Sequence, residues 1–552
     1  MVAASPRWVS VVNISSQETQ KNLIRNDWIA FMNVILRPSL KPYPEISLPD
    51  VLAQSAGRFP DKIAAVHGSR TATFEELNTR CNGIALALVA LGIQPGQRVA
   101  LMGQNSIEYI AAFFGILKAG GVIVPFSPAY SAREIGAQIR DCEPSAAIVD
   151  ADLIELFAMA GGDSIAREKR ICIEKSSRSA GPFLADLYAS STGAAALPRL
   201  PPDYLAVIAY SSGTTGVPKG VMLSHRNLVA NLVQFRHQDP VPITHADIFL
   251  NHLPFFHIYG MNVLMAEAIS VGATQVIMSR FDPDELADLV ARHRATLLFT
   301  VPPVLLSLIH LPSLQDRALA SLRYVNTGAA PLPPEVAREF RKLAGVPVKQ
   351  GYGLTETSPT TNADFYAHAE LESVGPPVAD TEEKVVDLDD WRNFLSAGEV
   401  GELLVRGPQV MQGYWRDAKL TKQVLTDGWF HTGDLARMDE RGYVYIVGRT
   451  KEMIKYKGYT VAPAELEGLL LEHPEVKDCA VVGIPDREAG EIPKAFVVLK
   501  PGATADGDAL MDFLRNKVAG YKRVRQVELV DAIPRSPSGK ILRRLLGEKS
   551  QA

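Results

Sequence analysis

The sequence predicts an α/β protein. It should have a large N-terminal domain of parallel sheets layered with helices, carrying a β-rich subdomain, followed by a small mobile α+β C-terminal domain. Three observations lead there. From about residue 48, short apolar runs alternate with capped, helix-patterned segments. Between 398 and 447 the texture changes to short strands and turns, and after 449 it changes again to a compact mixture. Parallel strands need crossover connections, so regular strand–helix alternation implies a parallel sheet covered by helices. The chain has 552 residues, more than a single hydrophobic core usually serves. The expected divisions are an N-terminal arm (1–47), a main domain (48–448) and a C-terminal domain (449–552).

The elements follow in order. Residues 50–59 pattern as a helix and 63–67 as a short strand. Thr73-Phe-Glu-Glu76 is a capping box, in which the threonine and the second glutamate satisfy orphan N–H groups at a helix start; that helix runs to about 91. Residues 98–102 are a strand, and Asn105-Ser-Ile-Glu108 caps the next helix. The apolar region 109–126 is interrupted by Lys118-Ala-Gly-Gly, so it reads as helix, turn and buried strand (122–126), not as a membrane span. Ser131-Ala-Arg-Glu134 opens another helix, and 146–149 is a strand. Residues 176–200, rich in small side chains, read as a surface loop. Strands 205–210, 275–278 and 297–301 then alternate with helices 226–235 and 283–293. In the tail, 463–472 and 509–519 pattern as helices and 478–483 and 494–499 as strands, with a boundary at 448–452. No internal repeat is visible.

Composition narrows the function. Hydrophobic residues make up 47% and charged residues 21%, with a net charge of -4, a soluble globular balance without the basic excess of a nucleic-acid binder. Cys81, Cys142, Cys172 and Cys479 are scattered, which argues against a zinc site or disulfide framework and for free thiols in a reducing cytoplasm. The N-terminus lacks the basic-then-apolar order of a secretory signal, and the C-terminal KSQA is no peroxisomal address. The apolar segment 28–36 (WIAFMNVIL) stands out in an irregular arm. It reads as a docking strip for the main body, with a dimer contact or a membrane surface as the other readings. A monomer or a homodimer is expected.

The densest signal is Tyr210-Ser-Ser-Gly-Thr-Thr-Gly-Val-Pro-Lys-Gly220, directly after an apolar strand. Its hydroxyls and freely approachable backbone N–H groups suit a polyphosphate nest, with Lys219 adding charge. A Walker A loop needs G-x-x-x-x-G-K-[ST]; Val217 and Pro218 separate Gly216 from the lysine, so that register is absent. Further along come Pro254-Phe-Phe-His-Ile-Tyr-Gly260, Thr327-Gly-Ala-Ala-Pro331, Gln350-Gly-Tyr-Gly-Leu-Thr-Glu356, Thr432-Gly-Asp-Leu435 with Gly448-Arg-Thr-Lys451, Ile454-Lys-Tyr-Lys-Gly-Tyr459 and Pro534-Arg-Ser-Pro-Ser-Gly-Lys-Ile541. His257 alone would read as a core histidine. Glu356 is a hard oxygen ligand of the kind Mg²⁺ takes. Asp434 can bind two ribose hydroxyls through its two oxygens.

In kind and in order, these motifs resemble the adenylate-forming superfamily: acyl-CoA synthetases, coumarate-CoA ligases, beetle luciferases and peptide-synthetase adenylation domains. The resemblance covers about 48–544. It implies ATP-dependent activation of a carboxylic acid, fatty or phenylpropanoid-type, to an acyl-adenylate with release of pyrophosphate, then transfer to coenzyme A. It implies that Ser211, Ser212, Gly213, Thr214, Thr215 and Lys219 hold phosphates. Gly328, Ala329, Ala330, Gln350, Gly351, Tyr352, Gly353, Leu354 and Thr355 would bound the nucleotide, with Tyr352 stacked on adenine and Thr355 at the α-phosphate. Glu356, with Thr215, would hold Mg²⁺. Asp434 and Arg449 would take the ribose. His257, Tyr259, Gly328 and Gly353 would bound the acyl group, with His257 and Thr355 near the reacting atoms. Lys540 would be the adenylation lysine, Lys451 the hinge, and Arg280, Lys457 and Gly458 the coenzyme A contacts. The same motifs would serve a ligase loading a carrier-protein thiol, a luciferase-like oxygenase or a non-enzymatic sensor. Lys457, Gly458 and Arg280 favour coenzyme A, and the presence of Glu356 and Lys540 disfavours a sensor.

Overall fold

The computed structural model describes residues 37–174, 181–190, 197–211, 218–311, 319–366, 369–515, 517–536 and 539–549; the apolar segment 28–36 lies outside them. Two sheets with helices between them form the main body. The first runs Gly413–Tyr414, Lys219–Ser224, Leu205–Ser211, Val122–Phe126, Arg98–Met102, Ala146–Val149 and Arg170–Cys172 from edge to edge. From Leu205–Ser211 onward its pairings are parallel. The second runs Thr360–Ala363, Val348–Gly353, Tyr324–Thr327, Leu297–Thr300, Ile248–Asn251, Thr274–Ile277, Ile63–His67 and Arg70–Thr73. It is parallel except at its two edges.

One hydrophobic core joins the sheets. Ala65 of one and Val99, Leu101 and Val207 of the other meet Leu77, Ile84 and Phe113 of the intervening helices Phe74–Ala90 and Ile107–Lys118. Helix Ile107–Lys118 is apolar on every side because it is enclosed on every side; all its residues except Glu108 and Lys118 are buried. Among the described residues no helix is long and apolar enough to cross a membrane. A third sheet holds Glu382–Val386, Gly401–Arg406, Trp429–Met438 and Leu425–Thr426, with Val444–Arg449 paired on Trp429–Met438. A fourth, in the tail, holds the hairpin Val476–Asp486 and Gly490–Leu499 with Ile454–Tyr456, Tyr459–Val461 and Gln526–Leu529. It packs its own core against helices Pro463–Leu471 and Gly507–Arg515, through Leu466, Leu470, Leu510 and Leu514.

Two expectations need correction, and two strands went unread in the sequence. Within the expected loop 176–200 lies the helix Leu184–Ser190; buried Leu184, with Leu187 and Tyr188, joins the main core, and a seven-residue helix is too short to show a period. The phosphate-loop motif closes a hairpin, because Lys219–Ser224, a strand that the sequence did not reveal, returns antiparallel to Leu205–Ser211. Strand Ile248–Asn251, central to its sheet, had no pattern of its own in the sequence. Finally, Ser106, not Asn105, caps helix Ile107–Lys118 by accepting from Tyr109 N at 3.0 Å.

Asn105 is buried and does something else. Its Nδ2 donates to the carbonyls of Leu253 (2.9 Å) and Met278 (3.3 Å), and its Oδ1 accepts from Phe255 N at 2.8 Å. It fastens the segment before His257 to the opposite sheet. Asn105→Ala strands three buried backbone groups, so a loss of about 3 kcal/mol is expected, against about 1 kcal/mol for removing the cap in Ser106→Ala. Urea unfolding of the two variants checks the order; equal losses would contradict the fastening role.

Candidate active site

The C-terminal ends of the parallel strands meet the third sheet and the tail around one cavity of about 1650 Å³. Strand Val348–Gly353 delivers Tyr352 to its wall. Gly353 must be glycine, since a Cβ there would lie 1.9 Å from Pro359 O. The Tyr352 hydroxyl donates to Asp434 Oδ2 at 2.5 Å. Burial first, then Asp434, push that phenol well above its ordinary value.

Asp434 and Arg449 are direct partners across the antiparallel strands Trp429–Met438 and Val444–Arg449. This register brings Arg449 Nε to 2.9 Å from Asp434 Oδ1, although that oxygen receives no aligned hydrogen bond. It is a buried carboxylate oxygen with capacity to spare. Beyond Gly353 a single tight turn, Thr355–Thr357, presents Thr355 and Glu356. Glu356 Oε1 accepts from Tyr414 OH at 2.9 Å, and Lys219 Nζ lies 5.6 Å from the Tyr414 ring centre.

The tail supplies Lys540. Its loop is closed on itself, with Ser536 N donating to Lys540 O and Gly539 N to Ser536 O, both at 2.8 Å. The loop rests on the main body, where a Cβ at Gly539 would sit 3.2 Å from Val301 Cγ2. Burial and the Arg449 charge pull the Lys540 ammonium below the ordinary lysine value, against Asp434, Glu452 and Glu356. His257 lines the same cavity, and burial together with Lys540 lowers it to about 4, so its imidazole is neutral at pH 7.

Of the residues singled out in the sequence, Ser211, Lys219, His257, Tyr259, Gly328, Ala329, Gly351, Tyr352, Gly353, Leu354, Thr355, Glu356, Arg449, Lys451 and Lys540 line the cavity. Ser212, Gly213, Thr214 and Thr215 lie outside the described residues. Gln350 supports the wall from behind, accepting from Leu332 N at 3.0 Å and donating to Leu371 O at 2.6 Å. Ala330, buried Asp434 and exposed Arg280 are not among the lining residues; Asp434 stands behind the wall, bonded to Tyr352 and beside Arg449. Lys457 and Gly458 are exposed on the hairpin between Ile454–Tyr456 and Tyr459–Val461, away from the cavity wall. Sequence reasoning missed Tyr414, Phe235 and Asn326. Tyr414 sits in a two-residue edge strand, Phe235 reads as ordinary helix core, and Asn326 precedes the small-residue motif without belonging to it.

The cavity fits a nucleotide triphosphate. It offers an aromatic face at Tyr352 and cations at Arg449, Lys540 and Lys219, with the Asp434 carboxylate behind Tyr352 and Arg449. Mg²⁺ on a polyphosphate keeps several waters and needs only one or two protein carboxylates; Glu356 is one lining carboxylate suited to it.

Residues 52–415 match the family described as AMP-binding enzyme, and residues 465–540 match the AMP-binding enzyme C-terminal domain. The chain is 35% identical to a long-chain-fatty-acid–CoA ligase of Bacillus subtilis (strain 168), over 93% of this chain and 96% of that one. It is also 35% identical to 4-coumarate-CoA ligase 1 of Narcissus pseudonarcissus, over 91% and 94%. Among solved structures, ATP-bound MatB from Rhodopseudomonas palustris superposes with a TM-score of 0.83 at 32% identity, covering 91% of this chain and 99% of that one. The chain therefore belongs to the AMP-binding enzyme family, the adenylate-forming ligases.

Proposed function

We propose that the protein joins a carboxylic acid to coenzyme A in two steps, with the acid drawn from the fatty and phenylpropanoid classes named in its relatives. One observation carries the reading: Tyr352, Arg449, Glu356 and His257 of the main body share a single cavity with Lys540 of the tail. In the first step a carboxylate oxygen attacks the α-phosphorus of ATP, and the bond to the β-phosphate breaks as pyrophosphate leaves. Tyr352 holds adenine, and Asp434 with Arg449 holds the ribose. Charge gathering on the phosphate oxygens is met by Lys540, with Thr355 donating beside it. The loop Ser211 to Lys219 holds the departing pyrophosphate. Glu356 and Thr215 would hold Mg²⁺, which would offset phosphate charge.

In the second step the thiol sulfur attacks the acyl carbon and AMP leaves. His257, Tyr259, Gly328 and Gly353 border the acyl group. Lys457, Gly458 and Arg280 meet coenzyme A after the tail, residues 449–552, turns about Lys451 as one body against the main domain, 48–448. Gly458 sits at φ +83°, with no neighbouring atom within 4 Å of where a Cβ would be, which suits the close passage of a thin thiol arm. Four buried free cysteines suit the reducing cytoplasm, where the enzyme works as a monomer or homodimer.

Three outcomes test this. Lys540→Ala should slow pyrophosphate release at least ~100-fold while sparing thioester formation from synthetic acyl-adenylate; equal loss of both half-reactions would refute the division. Because Lys540 lies below the ordinary lysine value, the adenylation rate should fall as pH rises through a pKa under 10.5, and this limb should shift upward in Lys540→Arg. Lys451→Pro, which stiffens the connection, should slow thioester formation more than adenylation, as measured by stopped flow; a larger effect on adenylation would count against the hinge.

A further inference from the structure

Tyr414 stands against two residues of the site, Glu356 and Lys219, yet the two reaction steps give it no task. It lines the cavity at 7% exposure. The run Met411-Gln-Gly-Tyr-Trp415 that carries it is fastened on two sides. On one side, Met411 N donates to Glu356 O at 2.8 Å and the Tyr414 hydroxyl donates to Glu356 Oε1 at 2.9 Å. On the other, Gln412 N donates to Met222 O at 2.9 Å and Trp415 N to Gly220 O at 2.7 Å. These bonds flank the pairing of Gly413–Tyr414 with Lys219–Ser224. Lys219 Nζ lies 5.6 Å from the Tyr414 ring centre, within the reach of a cation–π contact. Tyr414 N also donates to Thr421 Oγ1 at 2.9 Å, which adds a tie to helix Ala418–Val424.

The ring of Tyr414 belongs to the main core, and phenylalanine would fill that place as well. The hydroxyl is what distinguishes the residue, and it goes to a carboxylate 58 positions away in the chain. Glu356 needs such a partner. It sits on the single tight turn Thr355–Thr357, where a long side chain is free to swing unless something holds it. The other hydroxyls nearby are spent on backbone: Thr357 Oγ1 on Leu354 O at 3.1 Å and Ser358 Oγ on Gln409 O at 2.9 Å. One short run of chain therefore grips Glu356 twice, by its carbonyl and by one carboxylate oxygen.

We propose that Tyr414 is a positioning residue for adenylation: its hydroxyl holds Glu356 Oε1 so that the remaining oxygen, Oε2, is set for the divalent cation that accompanies ATP. A carboxylate that ligates a metal is commonly held by an outer hydrogen bond, and removing that bond costs about 10–100-fold in metal affinity. The ring beside Lys219 places this support next to the phosphate-holding lysine, so cation and phosphate contacts share one anchor. This inference rests on the reading of Glu356 as a metal contact.

The test uses Mn²⁺ as the probe, because electron paramagnetic resonance counts the free ion without turnover. Mn²⁺ is titrated into the full-length protein with ATP and no acid. Tyr414→Phe keeps the ring in the core and against Lys219, and should weaken Mn²⁺ binding by about tenfold or more, in the direction of Glu356→Gln. Its affinity for ATP in EDTA should stay within about twofold of wild type, and its pyrophosphate release should recover at high Mg²⁺, which a loss of folding would not do. Tyr414→Leu, lacking the ring too, should lose Mn²⁺ at least as strongly. Wild-type Mn²⁺ binding in Tyr414→Phe beside weakened binding in Glu356→Gln overturns this inference alone. Wild-type binding in both overturns the metal reading of Glu356 and this inference with it. Weakened ATP binding in EDTA, with no recovery at high Mg²⁺, also overturns it, since the tyrosine would then serve the nucleotide or the fold.

Discussion

On the proposed mechanism Lys540 must remain a cation in a cavity that works against its charge. Burial removes water from the ammonium, and Arg449 adds a second positive charge nearby; both act to release its proton. Asp434, Glu452 and Glu356 resist. The balance ties together parts of the chain that are far apart in sequence. Asp434 and Arg449 are set by strand register, Glu356 by the tight turn after Tyr352, and Lys540 by a loop whose backbone closes on itself. A polyphosphate entering this space brings the negative charge that the cations lack. The same arrangement that strains the lysine without substrate suits it to a developing phosphate anion.

The neutral state of His257 follows from the same field. With Lys540 beside it and little water, the imidazole stays uncharged near neutral pH. On the proposed reading His257 borders the acyl group, where a second cation would hold the substrate carboxylate as an ion pair and blunt its attack on phosphorus. A neutral ring can border the reacting group without that penalty. Asn105, fastening the segment ahead of His257 to the far sheet, fixes where the ring stands.

Much of this was legible in the sequence, and the failures have causes. Capping boxes at Thr73 and Ser131 were readable because both partners lie within four residues. The strands 98–102, 122–126 and 146–149 were readable because parallel strands buried on both faces are continuous apolar runs. Asn105 was misread because a local capping pattern and a long-range tie use the same side chain; only the partners at 253, 255 and 278 distinguish them. The strand Lys219–Ser224 was missed because its significance is its pairing with Leu205–Ser211, not its own pattern. In the site, residues inside glycine-rich motifs were found, while Tyr414 and Asn326 were not. Each is placed by neighbours distant in the chain: Tyr414 bonds Glu356, and Asn326 pairs with Phe299 on the adjacent strand.

The tail's construction bears on how one cavity serves two reactions. It has its own sheet and its own core, so on the reading proposed above it moves as a body. Lys540 lies in the cavity while the hairpin bearing Lys457 and Gly458 is exposed outside it. One rigid body cannot present both loops to one small space at once. Removing the lysine and admitting the thiol are then a single motion, and the only chain available to absorb it is the short run between Val444–Arg449, held in the third sheet, and Ile454–Tyr456, held in the fourth. Arg449 ends the first of these strands. On that reading Arg449, which with burial lowers the Lys540 proton affinity, is also the last fixed point before the turn, and the lysine's departure would free its charge to hold the nucleotide alone.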